Sequence, residues 1–283
     1  MPTRLSVKKT YKLYLGGKFP RSESGRVLAV KDAKGAVVAN YAHASKKDFR
    51  NAVVAARSAF SGWSGATPYL RSQILYRMAE MLDGRADSFI AEMSLQGLRK
   101  NSAQKELDLA IECLVHYAGW CDKYQQVFSS ANPVASPHFN FSVLEPTGVV
   151  AVFAPSSGPL SGLVGALAPV IAGGNVAIVI PAEAFPLSAL SFGEVLATSD
   201  LPGGVVNLLT SPHAELVEVA GSHLDVNAVV AYEASDEART ILQQAGATSI
   251  KRLSFHEAVA LPGDPYRITE LQEVKTIWHP VGL

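Results

Sequence analysis

Two unbroken apolar runs, 149–153 (VVAVF) and 176–180 (VAIVI), flank a longer apolar stretch at 160–172 inside residues 145–183, EPTGVVAVFAPSSGPLSGLVGALAPVIAGGNVAIVIPAE. Neither run alternates polar with apolar positions, which is the pattern of strands covered on both faces. The middle stretch has helical length, and Gly173, Gly174 and Asn175 stop it. The segment therefore predicts a strand, a loop, a helix and a second strand, the crossover unit of parallel nucleotide-binding sheets. Ligands of such sheets sit beyond the carboxyl ends of the strands. Here those ends lead into Ser156 and Ser157, and into Ile180, Pro181, Ala182 and Glu183.

Earlier in the chain the pattern differs. Residues 11–19 (YKLYLGGKF) read as a hairpin turning at Gly16 and Gly17, and 27–30 with 37–41 repeat the pattern around Lys34 and Gly35. The entry region is expected to be small antiparallel structure. From Ser45 and Asp48 onward, Phe49, Val53, Ala56 and Phe60 recur at helical spacing before Gly62. Thr67 and Pro68 open a second helix with Leu70, Ile74, Leu75, Met78 and Leu82, closed by Asp83 and Gly84. A third is predicted over 87–98, and a fourth over 103–124 with Leu107, Ile111, Leu114, Val115, Ala118 and Cys121 on its inner face. Tyr117, Trp120 and Tyr124 share that spacing and read as packing groups rather than a ligand cage.

A turn-rich connector at 132–137 leads to 138–144 (HFNFSVL), whose alternation predicts an exposed antiparallel strand. Beyond the opening unit, helices over 186–198, 214–220 and 236–245 alternate with strands over 205–209, 228–231 and 250–255. This alternation predicts an α/β domain with a mainly parallel sheet. Residues 261–265 (LPGDP) form a bridge to 268–279 (ITELQEVKTIWH). There Val274, Thr276 and Trp278 alternate with Lys275, Ile277 and His279, predicting a strand with both faces partly covered. Its edge must pair with something, either 138–144 of the same chain or another subunit.

Composition narrows the function classes. Of 283 residues 48% are hydrophobic, enough for a substantial core. The 25 basic and 25 acidic residues cancel, which removes any electrostatic argument for nucleic acid or an anionic membrane as partner. The first residues, MPTRLSVKKTYKLYLGG, contain no apolar signal core, and no window approaches the roughly 20 apolar residues of a membrane span. A cytoplasmic location is expected. Cys113 and Cys121 fall on one predicted helix, about 12 Å apart at roughly 1.5 Å per residue, too far for a disulfide. They read as small buried hydrophobes in a reducing compartment. His213 and His223 lack paired ligands, so no metal is expected.

These pieces, in order, carry a family resemblance. LYLGGKF, SAFSGWSGATPYLRSQILYRMAEMLDGRAD, YAGWCDKY, EPTGVVAVFAP, AGGNVAIVIPAE and LPGGVVNLLT make the chain similar to the aldehyde dehydrogenase superfamily over roughly residues 11–258. The resemblance implies a Rossmann-like NAD(P)-binding sheet, an oligomerisation hairpin containing 138–144, and a separate catalytic domain. On that basis the α/β fold divides into 1–137, N-terminal hairpins and helices packing on the sheet; 138–145, an oligomerisation strand; and 146–260, the Rossmann-like domain. A linker at 261–267 stands in place of the catalytic domain, and 268–283 is the C-terminal oligomerisation strand.

The departures from the family pattern concern chemistry. Active members carry Pro-Trp-Asn-Phe-Pro after the first strand, where the Asn amide holds the oxyanion; Ser157 stands at that position, and losing such a donor typically costs ~10²–10³ in rate. Ile180 replaces the Lys of Lys-Pro-Ala-Glu, leaving Glu183 as a vestige of the ribose clamp and the one cofactor-binding candidate. Where it is not a ribose contact, Glu183 is a solvated or capping carboxylate. Glu233, Ala234 and Ser235 replace Gly-Ser-Thr, and a carboxylate there would repel a pyrophosphate. The general-base segment Leu-Glu-Leu-Gly-Gly becomes Phe255, His256, Glu257, Ala258 and Val259; His256 reads as an ordinary satisfied histidine. No Cys follows Val259, so the nucleophile that a thiohemiacetal requires is missing from the expected region.

The reading is a catalytically inactive relative, like the degenerate second module of two-module family members. It has no catalytic residue, no metal, and no cofactor beyond weak NAD(P) at most. It would be a homo- or hetero-oligomer with an aldehyde dehydrogenase-type subunit, as a structural or regulatory partner. The alternatives are a residual NAD(P)-dependent aldehyde oxidoreductase that completes its site with a partner's Cys, and a nucleotide-sensing module.

Overall fold

The computed structural model describes residues 9–32 and 35–282. Lys34 of the second expected turn, and the first eight residues of the segment searched for a leader, lie outside them. The chain opens with β1 (Thr10–Tyr11), β2 (Val27–Lys31) and β3 (Val37–Ala42), in the order β1-β3-β2. β2 and β3 are antiparallel, but β1 joins β3 in parallel, which corrects the expected all-antiparallel entry. The turn at Gly16 and Gly17 forms as expected, with φ of 60° and 77° and paired hydrogen bonds of 2.9 and 3.0 Å between Leu15 and Lys18. Two successive positive φ values are what glycine supplies to such a turn. The hairpin goes no further because Tyr14 pairs with Leu208 instead, Leu208 N–H donating to Tyr14 O at 2.7 Å.

Four helices follow: α1 (Lys46–Ser64), α2 (Pro68–Asp83), α3 (Ala86–Leu95) and α4 (Lys100–Trp120). Ser45 and Asp48 form a reciprocal capping box on α1, and the Thr67 hydroxyl caps α2. α3 ends at Leu95, earlier than the expected 98, and Gly97 then turns the chain at φ 101°. α4 stops at Trp120, and a separate short α5 (Tyr124–Phe128) takes the rest of the expected fourth helix. Val115 is 42% exposed rather than inward-facing, and Leu70 on α2 is 46% exposed.

The central sheet contains β6 (Val149–Phe153), β7 (Val176–Ile180), β8 (Val206–Leu208), β9 (Ala228–Tyr232) and β10 (Arg252–His256). It is five-stranded and parallel, in the order β10-β9-β6-β7-β8. β6, β7 and β9 are buried along their whole lengths, which explains their unbroken apolar runs. Crossovers are made by α6 (Ser161–Ala172), α7 (Pro186–Ala197), α8 (His213–Ser222) and α9 (Asp236–Ala247), and α6 is buried at every one of its 12 residues. β10 starts at Arg252, not at residue 250: Ile250 has φ 50° and is 98% exposed in the loop before it.

A second small sheet carries β4 (Ser130–Asn132) and β5 (His138–Pro146), and is completed after α10 (Tyr266–Thr269) by β11 (Gln272–Pro280). Its order is β11-β5-β4, all antiparallel, with Gln272 opposite Pro146 and Pro280 opposite His138. The partner of the terminal strand is therefore the same chain's 138–146 strand. The expectation that both faces of β11 are partly covered is corrected, since Val274 is 66% and Trp278 57% exposed.

The bridge between β10 and β11 is packed rather than loose. Tyr117 Oη donates to Asp264 O and accepts from Asp264 N–H, each at 3.1 Å. Ile268 and Leu271 are buried, and Asn175 Nδ2 donates to Leu271 O at 2.9 Å. Among the described residues no helix is long and apolar enough to cross a membrane.

Candidate functional site

β6 is the strand from which the sheet runs both ways, to β7 and β8 on one side and to β9 and β10 on the other. The crevice between the loops after β6 and β9 is thus the switch point where open parallel sheets take ligands. In this chain the two loops are joined across it. Glu233, directly after β9, accepts hydrogen bonds from Ser156 N at 2.8 Å and Ser157 N at 3.2 Å, and its Oε1 also accepts from the Ser157 hydroxyl. Its own N–H donates to His256 O at 2.8 Å, and its φ is 49°. Partial burial works against the charged form of Glu233, but the hydrogen bonds from Ser157 and Ser156 outweigh it and hold the carboxyl below its ordinary range.

The Glu233 carboxylate thus takes up the N–H groups of the β6 loop. The N–H groups of Ser156 and Ser157 converge on this one side chain.

Side-chain acceptors also meet other helix starts along this edge. Glu183 Oε1 accepts from His213 N at 3.0 Å, at the first residue of α8. This places Glu183 as a helix cap, the second of the roles its position allows. Glu106 from α4 meets the start of α6, accepting from Ser161 N at 3.0 Å, Ser161 Oγ at 2.7 Å and Leu160 N at 3.3 Å. Gln96 Oε1 accepts from Leu187 N at 3.2 Å on α7, and the Ser235 hydroxyl accepts from Ala238 N at 3.2 Å on α9. Carboxylates at these helix starts complement the positive end of the dipole and fill orphan donors.

His213 adds bulk to the crevice: Nε2 donates to Pro181 O at 3.1 Å and the ring meets Phe153 edge-on with centroids 5.3 Å apart. Burial is the main cause of its lowered pKa, which keeps the imidazole neutral near pH 7. Beside it lies a pocket of about 260 Å³ walled by Phe153, Val217, Tyr232 and Leu242, with Glu183 and Glu233 at its polar side.

The remaining sequence candidates lie elsewhere. Ile180 is fully buried at the end of β7 and presents no group to a ligand. His256 is held by Glu270 at 3.0 Å and by Arg267, with the Tyr232 ring 5.3 Å away. Cys113 and Cys121 are fully buried, and burial pushes both thiols up to about 12. Both therefore favour the protonated thiol over the thiolate. His223 sits in another loop, its Nδ1 accepting from Asp225 N at 3.2 Å. Among the described residues no group of three or more His, Cys, Asp or Glu is placed to hold a metal.

Sequence reasoning missed Glu106, which contacts residues more than 50 positions away and carries no local signal. It also considered His213 only as a metal ligand, although Pro212 immediately before a helix start was a cue that the residue sits at a loop end.

Comparison with known proteins agrees with this architecture. The aldehyde dehydrogenase family matches residues 19–258. Mouse retinal dehydrogenase 2 is 31% identical over 257 residues, 89% of this chain and 49% of that protein. An aldehyde dehydrogenase of Emericella nidulans is 30% identical over 246 residues, 86% of this chain and 49% of that protein. Among solved structures, aldehyde dehydrogenase C from Pseudomonas syringae, in complex with NAD+ and octanal, superposes with a TM-score of 0.77 at 30% identity, covering 87% of this chain and 50% of that one. The NAD+ complex of a Bacillus cereus aldehyde dehydrogenase gives 0.81 at 25%, with the same coverage. The chain thus spans about half the length of these relatives.

Proposed function

Because the chain belongs to the aldehyde dehydrogenase family, we propose that it is a catalytically inactive member, serving as a structural or regulatory subunit in a homo- or hetero-oligomer with an aldehyde dehydrogenase-type partner. The observation that carries this reading is the bridge from Glu233 to Ser156 and Ser157, which occupies the switch point with the chain's own charge. A dinucleotide would have to displace that carboxylate and then lie against it. Aldehyde oxidation in this family rests on a thiolate that attacks the substrate, and the two cysteines of this chain, Cys113 and Cys121, are both buried, which supports the inactive reading. On this reading Glu183 is spent as a helix cap, no cofactor is held, and the protein works in the cytoplasm.

What the chain keeps is the scaffold and an open small sheet. β11 and β4 form the edges of that sheet, and Phe139, Val274 and Trp278 are at least half exposed on it. An apolar surface of this kind supports assembly, because exposed sheet edges and large apolar groups gain most from being covered. A second reading, a nucleotide-sensing module, is favoured by the 260 Å³ pocket beside Tyr232, whose aromatic and aliphatic walls suit a flat ring.

Calorimetric titration with NAD+ and NADP+ separates the readings. The expected result is no submillimolar binding and no aldehyde-dependent reduction. Binding without turnover would favour the sensing module, and turnover on mixing with a Cys-bearing partner would favour a residual oxidoreductase.

A further inference from the structure

We infer that the backbone N–H groups of Ser156 and Ser157 form an oxyanion-binding nest, and that Glu233 is an intramolecular latch that keeps it filled against phosphoryl ligands. Three donors converge on one carboxylate there: two successive N–H groups, at 2.8 and 3.2 Å, and the Ser157 hydroxyl. A site that meets its occupant through donated hydrogen bonds, two of them from consecutive main-chain amides, favours a multi-oxygen anion over cations. Ser156, Ser157 and Glu233 are all exposed, so a ligand reaches the nest without unfolding the chain.

The latch has a recognisable backbone signature. Glu233 holds φ 49°, a left-handed conformation that side chains other than Gly, Asn and Asp adopt rarely. Its N–H is meanwhile pinned to His256 O at 2.8 Å on the neighbouring strand's end. This turn directs the side chain across the switch point to the β6 loop rather than into solvent. The adjoining pocket of about 260 Å³, walled by Phe153, Val217, Tyr232 and Leu242, is the space into which the apolar part of a phosphorylated ligand would extend once the carboxylate moves.

The inference deepens the closed-crevice reading above, and the two fail in different measurements. Wild-type NAD(P) binding tests that reading, whereas the latch is tested by the ratio of variant to wild-type affinity for a simple anion. The probe is inorganic pyrophosphate, titrated by calorimetry at low ionic strength into the full chain and into E233G. Glycine removes the carboxylate and accepts the positive φ. E233N is the second variant, because asparagine tolerates the same backbone while being uncharged and one methylene shorter.

Both variants are first shown to be folded by circular dichroism and thermal unfolding. Pyrophosphate is expected to bind them roughly ten-fold or more tighter than wild type, the scale of one charge-assisted hydrogen bond gained or one like charge removed. Adding S157A to E233G is expected to return several-fold of that gain, since the hydroxyl is one of the three donors. A folded E233G or E233N that binds pyrophosphate no tighter than wild type overturns the inference, as does a gain that S157A leaves untouched.

Discussion

Trp63→Ala should lower the unfolding free energy by about 4 kcal/mol, the usual range for removing a large aromatic from a core being ~3–5 kcal/mol. Trp63 is 1% exposed on α1, and its Nε1 donates to Ile171 O at 3.0 Å in the last turn of α6. It therefore joins the first helix of the N-terminal layer to the fully buried crossover helix of the sheet. Truncation removes both the packing and a buried hydrogen bond, and rigid neighbours on both elements limit collapse into the space left. For a domain of this size the melting temperature should fall by roughly 10 °C. Trp63→Phe, which keeps a ring but not the donor, should fall between wild type and Trp63→Ala. Chemical denaturation of the three proteins checks the order, and a loss under about 1 kcal/mol for Trp63→Ala would contradict the packing described.

The second large effect is expected at Asn175. It is fully buried after α6, where its Oδ1 accepts from Gly148 N at 2.8 Å and its Nδ2 donates to Leu271 O at 2.9 Å. One amide thus ties the entrance of β6, the entrance of β7 and the segment leading into β11. Asn175→Ala leaves a buried N–H without its partner and weakens the hold on Leu271, whose carbonyl keeps the Thr147 N–H at 3.2 Å. Unpaired buried groups cost ~1–3 kcal/mol each, so a loss of about 3 kcal/mol is expected. Amide exchange should accelerate in 271–280 more than in β9, because the tether to β11 is the part released. Uniform acceleration across the sheet would show that Asn175 acts on general stability alone.

The parts of the fold that could be read in advance are those where burial leaves a one-dimensional mark. β6, β7 and β9 are covered on both faces, so their apolar runs are unbroken, and the capping pair Ser45 and Asp48 announces α1 locally. Features set by distant partners left no such mark. Tyr14 turns away from its own hairpin because Leu208 offers a free edge of the central sheet. β1 lies parallel to β3 because the chain returns through a crossing rather than a hairpin.

Ile250 looks like a strand residue by type, yet its positive φ places it in a loop. At the candidate site, the loops after β6, β7 and β9 stood out by their composition. It gave Glu233 its sign but not its partner, since Ser156 and Ser157 come within reach only when β6 and β9 are paired. Glu106 at the start of α6 was invisible for the same reason.

On the proposed reading this chain keeps the family scaffold for assembly rather than for chemistry. Light scattering coupled to size-exclusion chromatography tests it most directly, on the chain alone and after co-expression with a full-length aldehyde dehydrogenase. A species larger than the 30.1 kDa chain is expected in at least one of the two samples, reduced by charged substitutions at Val274 and Trp278. A monomer in both samples would contradict it.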